Sequence, residues 1–127
     1  MSTFDTRQTM TQQEIQAALV DLHALLAQGQ FIEAMQRYLH DDIVMQEGDS
    51  EPKQGKQLCI DFEAKVLEDV AAFGGYSVSS VGFGDNTSYY QAVMEYTQKD
   101  GQQVRVDQCV VDTWRDGKIV SERFYHG

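Results

Sequence analysis

Glu122 and Asp112 lie in stretches where apolar and polar residues alternate, Val104-Arg-Val-Asp-Gln-Cys-Val-Val-Asp-Thr-Trp114 and Lys118-Ile-Val-Ser-Glu-Arg-Phe-Tyr125. Alternation of this kind marks strands with one buried face. A carboxyl on that face is costly unless hydrogen-bonded, and loss of water raises its pKa toward the range useful for a general acid or base. Two carboxylates held diagonally on one sheet face can share a proton or divide the acid and base roles. His126, at the inward end of the last strand, can take or give a proton near neutral pH. Gln108, Tyr90 and Tyr96 are candidates to hold a ligand carbonyl or hydroxyl, and Trp114 and Phe124 to supply apolar wall. Each has a plainer alternative. Glu122 faces solvent if the register differs, Asp112 binds backbone, His126 frays with the terminus, and the tyrosines and Gln108 are simple core.

The elements that would position these residues follow from spacing. Thr11-Gln-Gln-Glu14 has the form of a capping box. Ile15, Leu19, Leu22 and Leu26 then follow as one helical stripe, and Gly29 ends the helix. His23 lies at the edge of that stripe: it points into a pocket or is a satisfied core or surface histidine. A second helix is expected over about 30–39, with His40 at its end, and a short strand at Ile43–Met45. Residues 48–57 hold the only proline and two glycines and read as a loop. A third helix is expected over about 56–72, with Leu58, Phe62, Val66 and Val70 on one face, stopped by Gly74-Gly75.

Four strands close the chain: Tyr76–Phe83, Ser88–Gln98, Gln102–Trp114 and Lys118–His126. The last two turns, Lys99-Asp-Gly101 and Arg115-Asp-Gly117, each suit a three-residue loop with glycine in the left-handed position. That choice pairs Gln98 with Gln102 and Trp114 with Lys118. Val110 then faces Glu122, Gln108 faces Phe124 and Asp112 faces Val120. One face, expected to lie under the helices, carries Tyr90, Tyr96, Gln108, Asp112, Trp114, Val120, Glu122, Phe124 and His126. The other face is mixed, with Tyr89, Val93, Arg105, Cys109, Val111, Ile119 and Tyr125. It reads as a solvated sheet or a dimer interface, and its tyrosines and arginines favour the interface.

Composition bounds the rest. The chain has 127 residues, 42% hydrophobic and 24% charged, enough for one domain that buries roughly two thirds of its unfolded surface without disulfide or metal staples. Residues 1–10 read as a flexible arm and 11–127 as a single domain. Twenty acidic residues against ten basic ones, a net charge of −10, argue against nucleic acid and against anionic membrane surfaces. Cys59 and Cys109 lack metal-ligand spacing. No Gly-rich phosphate loop, Cys-x-x-Cys or nucleophile elbow occurs. The expectation is a cytoplasmic protein with reduced thiols, no metal and no cofactor.

Three stretches resemble the nuclear transport factor 2-like superfamily, in its SnoaL-like and ketosteroid-isomerase-like branch. They are Tyr38-Leu-His-Asp-Asp-Ile-Val-Met-Gln-Glu47, Ser50-Glu-Pro-x-x-Gly55, and Trp114-Arg-Asp-Gly-Lys-Ile-Val-Ser-Glu-Arg-Phe-Tyr125. The resemblance implies an α+β fold, a cone-shaped curved antiparallel sheet wrapped around three helices from the N-terminal half. It also implies a cavity in which a carboxylate or histidine moves a proton. It places Glu122 on the cavity wall. Glu47, or its neighbour Gln46, falls near the general base of the isomerases. The isomerases' oxyanion pair is not reproduced: Leu22 or His23 stands where the tyrosine would, and the aspartate would fall near Val110. The Arg-x-Asp pair of the epoxide hydrolases occurs as Arg105-x-Asp107, but on the wrong strand and the outer face.

Together these readings lead to a homodimer with a pocket for a small hydrophobic ligand. The first expectation is a cofactor-independent isomerase, cyclase or lyase acting on a carbonyl compound. Glu122 or Asp112 would be its base, and Glu47 or His126 the partner. The alternative is a non-catalytic ligand-binding or dimeric interaction module.

Overall fold

Thr11 and Glu14 form the capping box that their spacing implies. The Glu14 N–H donates to Thr11 Oγ1 at 3.1 Å, and the Thr11 N–H donates to Glu14 Oε1 at 2.8 Å. The computed structural model describes residues 10–126, so the expected N-terminal arm lies, apart from Met10, outside the described residues. Helix α1 (Gln12–Ala27) buries Ile15, Leu19, Leu22 and Leu25. It ends at Gly29, whose φ of 77° suits glycine and where a Cβ would meet the Phe73 ring at 3.2 Å. Helix α2 (Phe31–Tyr38) is tied to α1 through Asp21, which accepts from Arg37 Nη1 at 2.9 Å and from the Tyr38 hydroxyl at 2.5 Å. Burial, then this hydrogen bond, pushes the Tyr38 hydroxyl up to about 12.

The chain continues as β1 (Leu39–Glu47), β2 (Lys53–Gln54), α3 (Lys56–Leu67), β3 (Val70–Gly84), β4 (Thr87–Gln98), β5 (Gln103–Arg115) and β6 (Lys118–Tyr125). The strands form one six-stranded sheet in the order β2-β1-β6-β5-β4-β3. All neighbours are antiparallel except β1 and β6, which run parallel. The architecture is the expected α+β one, helices packed on one face of a curved sheet. Among the described residues, no helix is long and apolar enough to cross a membrane.

Several elements differ from expectation. Gly74-Gly75 does not stop a helix. The third helix ends at Leu67, and β3 begins at Val70, paired with Gln98. The glycines sit inside β3 at a register shift between Phe73 and Gly75, where Gly75 has φ 144°. A Cβ at Gly74 would lie 3.0 Å from the Glu95 carbonyl oxygen. Such a shift is a β-bulge, a feature that breaks the regular ladder and re-aims the strand. The α3 stripe is also turned. Leu58, Phe62 and Val66 are exposed at 55, 51 and 41%, while Cys59 and Ile60 are buried.

The two Asp-Gly loops behave differently. Lys99–Gly101 is the three-residue loop expected: the Gln98 N–H donates to the Gln102 carbonyl at 2.8 Å, and Tyr96 pairs with Val104. At the other, Asp116 and Gly117 form a two-residue turn with φ 55° and 80°, so Arg115 pairs with Lys118. Positive φ at both positions is the signature of a type I′ hairpin. A bulge at Val120 then shifts the ladder, and Thr113 pairs with Ser121. Ile119 is therefore buried and Val120 only half-buried, the reverse of expectation. Beyond the bulge the expected face returns, displaced by two residues: Asp112 lies opposite Glu122, and Val110 opposite Phe124.

Trp114 is the largest fully buried side chain. Its Nε1–H donates to Ser88 Oγ at 2.9 Å, and Ser88 is itself wholly buried. Trp114→Phe leaves that hydroxyl without its donor and should cost about 2–4 kcal/mol in urea unfolding, from lost volume and an unsatisfied polar group. Ser88→Ala in the Trp114→Phe background should recover part of that loss. If the two losses simply add, the hydrogen bond does not couple these residues.

Candidate functional site

The parity of the strands decides which side chains meet. Glu122 and Phe124 on β6 share a face with Met45 and Glu47 on the parallel β1, because Met45 pairs with Glu122 and Glu47 with Phe124. Gln46, paired with Arg123, points the other way, and its Nε2 donates to the Ser50 carbonyl at 3.0 Å. Of the two residues left open by the sequence, Glu47 therefore faces inward. On β4 and β5 the same face carries Tyr90, Met94, Tyr96 and Gln108. With Leu22, Leu26, Met35 and Glu63 from the helices, these residues line an open cavity of about 980 Å³.

Glu122 stands in the cavity wall at 8% exposure, and Asp112 lies directly across the strand pair at 0%. Burial raises the proton affinity of both. Asp112 is raised well above the usual carboxylate range, first by burial and then by the charge of Glu122. Glu122 is raised by burial, but Asp112 opposes this as a hydrogen-bond partner and favours the ionised Glu122. Neither Asp112 oxygen has a fixed donor in good hydrogen-bonding geometry. A proton shared with Glu122 would supply what is missing. Two carboxylates paired across neighbouring strands in this burial cannot both ionise at low cost, and the complete burial of Asp112 favours the proton on its side.

Tyrosines extend the pair. Tyr90 adjoins Asp112 and Tyr76 adjoins Tyr90, and burial raises both phenols, so both are neutral donors at ordinary pH. At the mouth, Glu47 Oε1 meets His126 Nε2 at 3.2 Å, with both side chains about half exposed. This joins two expected site residues, but as a solvated pair rather than in the dry interior. Glu63, on α3, also faces the cavity, and its carboxyl is raised by burial, then by Glu47 and Glu122. Among the described residues, no three His, Cys, Asp or Glu side chains are grouped to hold a metal ion.

Two expected ligand-binding residues fall outside the cavity. Trp114 is core, bonded to Ser88. His23 packs edge-on against Tyr90 at 4.4 Å between ring centres and borders a separate cleft of about 260 Å³ with Gln16, Val20 and Val81. Burial alone lowers its pKa to about 4, so it is a neutral imidazole.

Comparison with solved structures matches this arrangement over nearly the whole chain. A presumed SnoaL-like polyketide cyclase from Mesorhizobium loti superposes with a TM-score of 0.77 at 27% identity, covering 92% of this chain and 100% of that one. The fold is the nuclear transport factor 2-like one. An epoxide hydrolase of the LEH-like kind from M. tuberculosis matches with a TM-score of 0.75 at 16% identity, covering 91% and 84% of the two chains. TerC, co-crystallized with polyporic acid, matches at 0.73 and 17% identity, covering 90% and 91%. No protein-family model matches the sequence, and no curated protein does.

Within this nuclear transport factor 2-like cone, Glu63 and Tyr76 are among the cavity residues that sequence reasoning missed, and Arg105 and Asp107, set aside as outer-face residues, also border it. The signal for Glu63 was present. Cys59, Ile60, Glu63 and Leu67 form a second stripe on α3, and this is the stripe that turns inward. Tyr76 lay just past Gly74-Gly75 in a stretch read only as the start of a strand.

Burial of the acid pair makes stability depend on pH. A carboxyl whose pKa is raised on folding stabilises the fold while protonated, and that contribution is lost as pH rises from the unfolded value through the folded one. Asp112→Asn removes the ionisable group and retains a hydrogen-bond donor toward Glu122. The variant should match the parent near pH 4 and be about 1 kcal/mol or more stabler at pH 8 in chemical denaturation. Equal stability of the two proteins at pH 8 would remove the buried-proton account.

Proposed function

We propose that the cavity performs cofactor-independent acid–base catalysis on a small hydrophobic carbonyl compound, as an isomerase, cyclase or lyase. The observation that carries this reading is Glu122: a carboxyl 92% buried in the wall of a largely apolar cavity, backed by a second, fully buried acid that retains the proton. Such a group is costly to the fold and well suited to proton transfer. The relatives' names, cyclase and epoxide hydrolase, support a small-molecule reaction in this fold, and the co-crystal of TerC with polyporic acid supports small-molecule binding by it.

In this reading the ionised Glu122 removes a proton from the carbon beside the carbonyl. The C–H electron pair moves into the carbon–carbon bond, and the carbonyl π pair moves onto oxygen. The Tyr76 hydroxyl, or the Gln108 amide, donates a hydrogen bond to that oxygen as its charge develops. Protonated Asp112 hydrogen-bonds Glu122 and holds its orientation. Glu122 then returns the proton at a second carbon, giving an isomer, or the electron pair expels a leaving group or closes a ring. Glu47 and His126 at the mouth are placed to exchange protons with solvent.

The test is exchange of α-protons from a panel of small apolar ketones in deuterium oxide, followed by proton NMR. The wild-type protein should accelerate exchange of at least one ketone, with the rate rising as Glu122 ionises. Glu122→Gln should reduce that rate about 10²–10⁴-fold. Binding without exchange by any ketone would favour the non-catalytic module instead.

We also propose that the protein is a homodimer through the outer face of the sheet. Tyr89 and Tyr125 are 42% and 44% exposed there, beside half-buried Val93 and Val111. Tyrosines around apolar residues are typical of interface cores. Light scattering after size exclusion should give twice the chain mass for the parent, and the chain mass for Val93→Glu/Val111→Lys. A monomeric parent at tens of micromolar removes this part of the reading.

A further inference from the structure

The cavity's acids exceed what a single proton transfer requires. Glu47, Glu63 and Glu122 arrive from β1, α3 and β6 and all line it. Among the described residues, neither Glu63 nor Glu122 has an ion-pair partner. The cations at the cavity each have a partner of their own: Arg105 sits beside Asp107 at 3.9 Å, His126 meets Glu47 at 3.2 Å, and Lys53 Nζ lies 4.1 Å from the centre of the Phe62 ring. Glu122 is an independent sign that a ligand belongs here. It is 92% buried, it faces the cavity, and its polar neighbour is another acid. Phe62, Phe73, Tyr76 and Tyr96 supply aromatic surface around the same space. Aromatic faces and carboxylates both attract cations. A chain of net charge −10 disfavours an anionic ligand from the outset.

We propose that the ligand is an organic ammonium compound, an apolar body with a protonated amine held by Glu63, whose negative field Glu47 and Glu122 reinforce. This rests on reading the cavity as a ligand site and adds the ligand's charge. The amine end sits against α3, leaving Glu122 to face the carbonyl end. A ligand carboxylate in the same position would meet the unpaired Glu63 and Glu122, while the cavity's Arg105 and His126 already face Asp107 and Glu47.

The experiment is a calorimetric titration with three probes sharing one naphthyl body: naphthylethylamine, naphthylethanol and naphthylacetate. The ammonium probe should bind at least about tenfold more tightly than the alcohol, a difference of about 1.4 kcal/mol, with the carboxylate weakest. Glu63→Gln preserves the side chain's shape. It should bring the ammonium probe to within about twofold of the alcohol and leave the alcohol's affinity unchanged. An alcohol that binds as tightly as the ammonium overturns the charge preference while leaving the ligand site standing. Tightest binding by the carboxylate overturns it equally. An ammonium preference that survives Glu63→Gln overturns the role of Glu63. If no probe binds to protein shown folded by circular dichroism, this inference and the ligand-site reading fall together.

Discussion

The structure turns on two buried carboxyl groups facing each other across a strand pair, one fully enclosed and one in the wall of the cavity. Asp112 and Glu122 are paired residues of β5 and β6, and both are buried. Such a pair is expensive if both members ionise and inexpensive if they share one proton. The enclosed Asp112 has the greater reason to stay neutral, and this leaves Glu122, on the open side, as the group able to change charge. The asymmetry arises from depth in the cone and not from residue type.

The rest of the fold maintains that depth. The bulge at Val120 sets the register that brings the two acids level. The register shift at Gly74-Gly75 lies between Phe73 and Tyr76, both of which line the cavity. The parallel partner β1 carries Met45 past Glu122 and delivers Glu47 to the mouth. Helix α3 closes one side with Glu63 turned inward, while Phe62 and Val66 border the cavity with part of their surface exposed and Leu58 faces solvent. A cone built in this way is apolar in area but acidic in charge, and the charge arrives from several elements at once.

Much of the fold was legible from local chemistry. The Thr11/Glu14 capping box and the Lys99–Gly101 loop formed as read, and so did the α1 stripe except at its end, where Leu25 is buried and Leu26 turns to the cavity; each is settled by residues within a few positions of one another. Errors came where two local solutions were nearly equal. Asp116-Gly117 suits a two-residue turn as well as the end of a three-residue one. What settled it was Ile119, which reaches the core only if the shorter turn is used and the bulge at Val120 absorbs the difference. On α3 two apolar stripes compete, and the one with fewer large side chains is buried.

Amino-acid type and spacing were enough to specify the three helices and the last four strands, the inward face of β4 and β5 and of β6 beyond Val120, the acidity of the chain and the presence of Glu122 on the buried side; they did not reveal β2 in the stretch read as a loop. They did not determine that Asp112, rather than Val110, would lie opposite Glu122, that Glu63 would join them, or that Trp114 and His23 would lie outside the cavity. Those outcomes depend on long-range packing: the parallel docking of β1 on β6, the register shift in β3 and the rotation of α3. A strand's alternation selects a face, but a shift of two residues preserves that face, so only contacts from distant parts of the chain can distinguish the two registers.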